Sequence, residues 1–210
     1  MLNSTPETIE TPFKQYPDEL LYQYHDAETE QTFELRKLDI KQDLERFHHW
    51  HNQQYVYEFW ELNQSKEELK NYLVDLESKD FIEPVIGSIN GTPCAYFEVY
   101  WAYYDRIAPY CDATLFDRGY HLLIGEKQFL GQRNTMLWLN IVNDFIFKDE
   151  PRTERIVGEP RADNVAILKY LDHTPFTKKK EFDFPHKRAA LLECFRDTFY
   201  QETILNQVTP

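Results

Sequence analysis

Hydrophobic and polar positions change their spacing along the chain in a readable order. FELRKL, residues 33–38, alternates as a strand. DIKQDLERFHHWH, residues 39–51, then takes helical spacing, with Leu44, Phe47 and His48 on one side and Asp39 at the N-cap. Ser65 opens a second helix, SKEELKNYLVDLESK, in which Ser65 and Glu68 form a capping box and Leu69, Leu73 and Leu76 line one face. EPVIGSINGTPCAYFEVYWAYYD, residues 83–105, holds two apolar runs joined by Asn90-Gly91, a strong hairpin signal. YHLLIG (120–125) predicts a third strand. After Gly131 a long helical pattern puts Leu139, Val142, Phe145 and Ile146 on one face.

RIVGEP (155–160) predicts a strand and NVAILKYLDH (164–173) a helix, followed by strands near 176–183 and 187–194 and a short tail helix. Residues 1–32 are polar, with prolines at 6, 12 and 17, and read as an extension wrapped on the domain and ordered around Leu20–Tyr24. Residues 33–203 then form one domain and 204–210 a C-terminal tail. Strands and helices in this order predict an α+β fold, a mostly antiparallel mixed sheet with helices on both faces.

Composition narrows the function. The 210 residues suffice for one well-packed domain. Thirty-six acidic against 23 basic residues, a formal net charge of -13, disfavour nucleic acid as a partner. Cys94, Cys111 and Cys194 have no C-x-x-C spacing and read as reduced core thiols. The start, MLNSTPETIETPFK, lacks an apolar signal region, and no run reaches the roughly 18 apolar residues of a membrane span, so a cytoplasmic location is expected. His48, His49 and His51 invite a metal reading, but only His48 and His51 share a helical face and nothing completes a ligand set. No metal is expected.

Two stretches carry the chemistry. In Gln128-Phe-Leu-Gly131-Gln132-Arg133 a loop enters a helix, whose unpaired N-terminal amides suit an anion, while Gly131 allows close approach. The alternative is an ordinary turn eased by Gly131. The second stretch, Asn164-Val-Ala through Pro175-Phe176, is on its own an amphipathic helix capped by Asp163 or Asn164.

Together these stretches resemble the pyrophosphate loop, Gln/Arg-x-x-Gly-x-Gly/Ala, and the Asn-x-Ala…Gly-Phe segment of the Gcn5-related N-acetyltransferase (GNAT) superfamily. The chain departs from the pattern at Arg133, which either ligates phosphate or blocks its approach, at Pro175, and at Leu171, where many members carry a tyrosine general acid. Tyr170 is one step away and on a regular helix would point elsewhere.

The phrases HHWHN, VYEFWEL, GTPCAYFEVYWAYYDRIAPY, DRGYHLLIGEKQFLG, DEPRTERIVGEPRADN and FPHKRAALLECFRDTF further resemble the hydroxamate-siderophore branch, with enzymes similar to aerobactin hydroxylysine acetyltransferase. His51 departs from that branch's Trp-Met-Asn. The resemblance runs from about Phe33 to Phe199 and implies an acyl-CoA N-acyltransferase (EC 2.3.1 type). Such an enzyme would acylate an N-hydroxylated diamine or amino acid, such as N-hydroxylysine or N-hydroxycadaverine, to a hydroxamate in iron acquisition.

The co-substrate expected is acyl-CoA, acetyl-CoA or succinyl-CoA, with no metal. The resemblance makes His121 the base, with Asp163 or the competing Glu159 as its carboxylate partner. Amides of Leu122, Leu123 and Ile124 would stabilise the oxyanion. Gln128, Gly131, Gln132, Arg133 and Asn164 would hold the cofactor. His48, Trp50, Asn52, Tyr100, Trp101 and Asp105 are candidates for the acceptor pocket. Lys178, Lys179 and Lys180 read as a solvated hairpin face, with contact to the cofactor's 3′-phosphate as the alternative. A GNAT acting on another small amine, or a non-catalytic CoA-binding protein of the same fold, are the rival readings.

Overall fold

The computed structural model describes residues 20–170, 173–203 and 205. Eight strands form a single sheet: β1 (Leu20–Asp26), β2 (Gln31–Lys37), β3 (Ile82–Ile89), β4 (Thr92–Trp101), β5 (Arg118–Ile124), β6 (Arg155–Gly158), β7 (Thr177–Asp183) and β8 (Arg188–Phe195). Their spatial order is β1-β2-β3-β4-β5-β6-β8-β7. Neighbours are antiparallel except β5 and β6, which run parallel.

The helices are α1 (Ile40–His51), α2 (Gln54–Trp60), α3 (Lys66–Glu77), α4 (Ala108–Cys111), α5 (Gln132–Asp149), α6 (Val165–Leu168) and α7 (Arg196–Glu202). Local chemistry explains the elements that the sequence announces. Asp39 accepts from the amides of Lys41 and Gln42 to start α1. Ser65 and Glu68 close the capping box of α3. Asn90 (φ 50°) and Gly91 (φ 74°) both take the left-handed backbone that a two-residue hairpin turn needs.

Three features differ from the sequence expectation. Residues 20–26 are a sheet strand paired to β2, and β2 itself begins at Gln31, so the sheet starts inside the segment read as an extension. Its apolar signal is weak because β1 is an edge strand. It is fastened by side chains instead: Tyr22 donates to Asp144 on α5, and Asp26 pairs with Arg133. Gln54–Trp60 and Ala108–Cys111 add two helices that were not assigned. Finally, regular α6 stops at Leu168 rather than running on to 173.

The sheet separates two cores. Phe33, Phe97, Tyr120, Ile124, Trp138 and Val142 pack on the α5 side. Phe47, Leu73, Tyr96, Tyr100, Leu123 and Val157 pack on the α1–α3 side. Alternation along β5 therefore sends Tyr120 and Ile124 one way and Leu123 the other.

The feature that makes a site is a split. β5 and β6 pair only at Arg118–Ile156 and Gly119–Val157, after which the ladder ends. From Tyr120 onward the edge of β5 that faces β6 has lost its partner strand, leaving alternate backbone groups free to bind something else.

Candidate active site

A cavity of about 420 Å³ occupies this split. On the α5 side its walls include Leu122, Gly131, Thr135, Leu139, Asn164, Ile167 and Tyr170. On the α1–α3 side they include Tyr55, Phe59, Trp60, His121 and Glu159, with Arg106 and Lys187.

The α5 side is made mostly of backbone and apolar groups. Gly131, at φ 151°, lies in a region that side chains rarely adopt and leads directly into α5. No side chain caps that helix, so its first amides stay available beside the cavity. Opposite them, Asn164 caps α6 by accepting from the Ile167 amide. These groups fit a phosphorylated, thioester-bearing co-substrate: an open helix start for its phosphates and an apolar slot for its arm.

The α1–α3 side is a buried charge cluster. His121 donates from Nδ1 to Glu98 Oε2 at 2.9 Å and from Nε2 to Glu159 Oε1 at 2.7 Å. Glu98 sits directly across from His121 in the β4–β5 register. It also accepts from the hydroxyls of Tyr72 (2.6 Å) and Tyr96 (2.9 Å). Glu159 accepts from the Tyr100 hydroxyl at 2.7 Å.

Burial by itself would lower the His121 pKa, but the charges and hydrogen bonds of Glu159 and Glu98 overcome it and raise the ring to about 10. Burial would likewise raise both carboxyls. His121 outweighs it and holds Glu159 at about 2 and Glu98 below the usual carboxylate range. The resting cluster is therefore an imidazolium between two carboxylates. Some 22% of the His121 side chain remains open, toward the cavity.

Glycine creates the room for this cluster. A Cβ on Gly119 would meet the Tyr100 ring at 2.4 Å, so that ring crosses β5 only because residue 119 has none. The crossing lets Tyr100 reach Glu159 and pack against His121, with ring centroids 5.0 Å apart. Gly125 does the same for Trp50, whose ring a Cβ there would meet at 2.2 Å. The carbonyl of Gly125 accepts from Gln53 Nε2 and Tyr55 OH, both at 2.7 Å, which ties the end of β5 to the start of α2.

The structure sorts the residues singled out from sequence. Leu122, Leu123, Ile124, Gly131, Asn164, His121 and Glu159 all line the cavity. Asp163 does not partner His121: its exposed carboxylate accepts from Nε and Nη2 of Arg161, and Glu98 and Glu159 occupy the two ring nitrogens. Arg133 is turned away to Asp26 (2.7 Å) and Glu28 (3.0 Å) on the β1–β2 hairpin, so it neither lines the cavity nor obstructs it. Gln128 and Gln132 are exposed outside it.

Among the pocket candidates, His48 lies outside the cavity and Asn52 closes α1 by donating to His48 O and Gln64 O. Trp101 is buried on the far side of β4 against Phe116 and Arg118. Trp50 and Tyr100 support the walls from behind. Burial and the neighbouring Glu159 push the Asp105 carboxyl up, and its side chain caps the Ile107 amide. Lys178–Lys180 lie on exposed β7, away from the cavity.

Leu171 falls outside the described residues. Tyr170, in contrast, lines the cavity, because α6 has ended and helical periodicity no longer sets its direction. Glu98 was missed, although it is the lone charge in the strand CAYFEVYW, a signal of a buried polar role. Tyr55 with Phe59, and Val56 with Trp60, were also readable as i,i+4 pairs on α2. Among the described residues, no group of three or more His, Cys, Asp and Glu is arranged to hold a metal ion. No helix among them is long and apolar enough to cross a membrane.

The profile of the acetyltransferase (GNAT) domain matches residues 39–184, and the chain belongs to that family. It is 37% identical over 186 residues to an N(6)-hydroxylysine O-acetyltransferase of Escherichia coli, covering 89% of this chain and 59% of that one. It is 34% identical to a hydroxyornithine transacylase of Ajellomyces capsulatus, covering 90% of this chain and 44% of that one. The chain thus spans about half the length of these curated relatives. A solved protein of Bacillus halodurans superposes with a TM-score of 0.82 at 29% identity, over 86% of this chain and 93% of that one.

Proposed function

We propose that this protein is an acyl-CoA-dependent N-acyltransferase that converts an N-hydroxylated amine to a hydroxamate. The observation that carries the reading is the position of the Glu98–His121–Glu159 cluster at the opening between β5 and β6. The relatives named for hydroxylysine and hydroxyornithine support the acceptor class.

In this reading acyl-CoA lies on the α5 side, its pyrophosphate at the Gly131–α5 start and its thioester beside the free edge of β5. Amides at Leu122–Ile124 would stabilise the oxyanion. The acceptor enters from the α1–α2 side and its nitrogen attacks the thioester carbon. A hydroxylamine nitrogen is only weakly basic, so it arrives neutral near pH 7. Once bonded to the tetrahedral carbon it is acidic enough for a carboxylate to take its proton.

The cluster is suited to that step in a specific way. In this reading His121 is a cation at rest rather than the free base that the family resemblance implies. It keeps Glu98 and Glu159 ionised, and the cluster, with two carboxylates and one imidazolium, accepts the proton as a unit. Tyr170, which lines the cavity, is assigned in this reading to protonate the leaving thiolate.

Thiol release from acetyl-CoA with N6-hydroxylysine, N-hydroxycadaverine and their unhydroxylated parents tests the proposal. Turnover with the hydroxylated acceptors is expected. Preference for an unhydroxylated amine would replace it by another small-amine acetyltransferase, and release with none would remove the enzymatic reading.

A further inference from the structure

Beside the charge cluster, the cavity wall carries a group of cations that acyl transfer does not require. Arg106 follows β4, Arg161 follows β6, and Lys187 lies in the turn between β7 and β8; all three line the cavity. Their neighbours are unequal. Arg161 is occupied by Asp163 and Glu61. Lys187 donates to the main-chain oxygen of Glu159 at 2.8 Å, while its nearest carboxylate oxygen, Glu159 Oε1, is 3.9 Å away and already bonded to His121. Arg106 has no ion-pair partner among the described residues. Its guanidinium stands 5.6 Å from the centre of the Phe184 ring.

Phe184 is the common platform. The Lys187 ammonium is 5.5 Å from its ring centre, and the His186 ring stacks on it at 5.4 Å. Burial pushes the pKa of Lys187 and of His186 down, and the Arg106 charge pushes both further the same way. In a chain of net charge -13, like charges are thus crowded beside a cavity. An anion entering there would gain two unsaturated donors and relieve the repulsion between them.

The surroundings limit what the anion is. The helix start suited to phosphate is on the opposite, α5 side. On this wall Glu159 and Asp105 stand close by and would repel a dianion. A single carboxylate matches both the planar fork of Arg106 and the modest positive excess. The position, on the same wall as His121, puts that carboxylate on a molecule already bound for reaction.

We propose that Arg106 and Lys187, grouped around Phe184, are a receptor for a carboxylate carried by one of the two substrates. Its source is either the α-carboxylate of an N-hydroxy amino acid acceptor or the distal carboxylate of a dicarboxylic acyl group such as succinyl. The inference rests on the acyl-transfer reading and specifies the substrate class of that site.

Four substrate pairs test it: N6-hydroxylysine or N-hydroxycadaverine, which differ by the carboxylate, each with acetyl-CoA or succinyl-CoA. For wild type, kcat/KM should favour a carboxylate-bearing substrate by about 10- to 100-fold, the worth of a charge-assisted hydrogen bond. A preference for hydroxylysine with both donors assigns the receptor to the acceptor. A preference for succinyl-CoA with both acceptors assigns it to the acyl group. In Arg106→Gln and Lys187→Gln, each checked for folding by thermal melting, the preference should collapse toward one through a higher KM. Wild-type ratios near one in every pairing, or ratios that persist in both variants, would overturn the receptor while leaving acyl transfer standing. Absence of thiol release in all four pairings would remove acyl transfer itself, and the receptor with it.

Discussion

The two sides of the β5–β6 split are built from different materials. On the α5 side the groups proposed to recognise substrate are backbone: the bare amides at the start of α5, the free edge of β5 and the permissive Gly131. On the α1–α3 side they are charged and aromatic side chains gathered from β4, β5, β6, α2 and α3. The first kind of site tolerates changes of side chain as long as the chain path holds. The second is sensitive to loss of His121 in particular, because Glu98 and Glu159 then keep only their hydroxyl donors and the more distant Lys187.

The contrast is sharpest at His121. His121→Ala would leave Glu98 and Glu159 facing each other, and should destabilise the fold by about 3–5 kcal/mol. In the protein that folds, kcat should fall by about 10²- to 10⁴-fold with little change in KM for acyl-CoA. Steady-state kinetics at saturating acceptor check this, and wild-type turnover would exclude the cluster from the chemistry.

The same cluster should show in pH dependence. The folded pKa of His121 is raised above its ordinary 6.5 to about 10, so its stabilising effect is complete below about 6.5 and is lost as pH rises through about 10. That of Glu159 is lowered from 4.5 to about 2, so its contribution is complete above 4.5 and is lost as pH falls through about 2. The difference in Tm between wild type and His121→Gln should therefore be largest near pH 5–6 and shrink toward pH 10. The cluster as proton acceptor predicts no activity step near 6.5, whereas a neutral histidine base would produce one.

Next in size is Gly119→Ala. The added methyl collides with Tyr100, at a cost of about 1–3 kcal/mol of overpacking, and displaces the hydroxyl from Glu159. A lower Tm together with reduced kcat is expected; unchanged kcat would separate Tyr100 from the site. Gly131→Ala probes the other side. No atom lies within 4 Å of the new Cβ, so its effect comes from the backbone angle alone. KM for acyl-CoA should rise about tenfold, corresponding to about 1.4 kcal/mol, while the acceptor KM stays near wild type. A rise confined to the acceptor would reverse the assignment of the two sides.

The smallest effect belongs to Arg133→Ala. That guanidinium is spent on Asp26 and Glu28 at a partly exposed hairpin, so stability should change by no more than about 1 kcal/mol and KM for acyl-CoA should not move. A large rise in that KM would return Arg133 to the phosphate site.

Legibility followed the same divide. The Asp39 cap, the Ser65–Glu68 capping box, the Asn90-Gly91 hairpin and Gly131 before a long helix are local statements, and each is recoverable from a few adjacent residues. Glu159 was recognised only as a competitor of Asp163, since both follow β6 within five residues and spacing alone cannot say which faces inward. The strand phase decides it: Val157 and Glu159 share a face, while Asp163 lies in the turn that Arg161 holds. Trp101 was misplaced for the same reason, being one residue from Tyr100 and hence on the opposite face of β4.

By itself, the sequence determined the family, the glycine-led helix start and most of the element order, apart from β1, α2 and α4, because these depend on residues close together in the chain. Only the tertiary structure decided what surrounds His121. Glu98, 23 residues away, and Glu159, 38 residues away, meet it through sheet register and through the divergence of β5 from β6. The protonation of a buried ring is set by the charges packed around it. That is why the sequence could single out His121 while its two carboxylate partners came only from the fold.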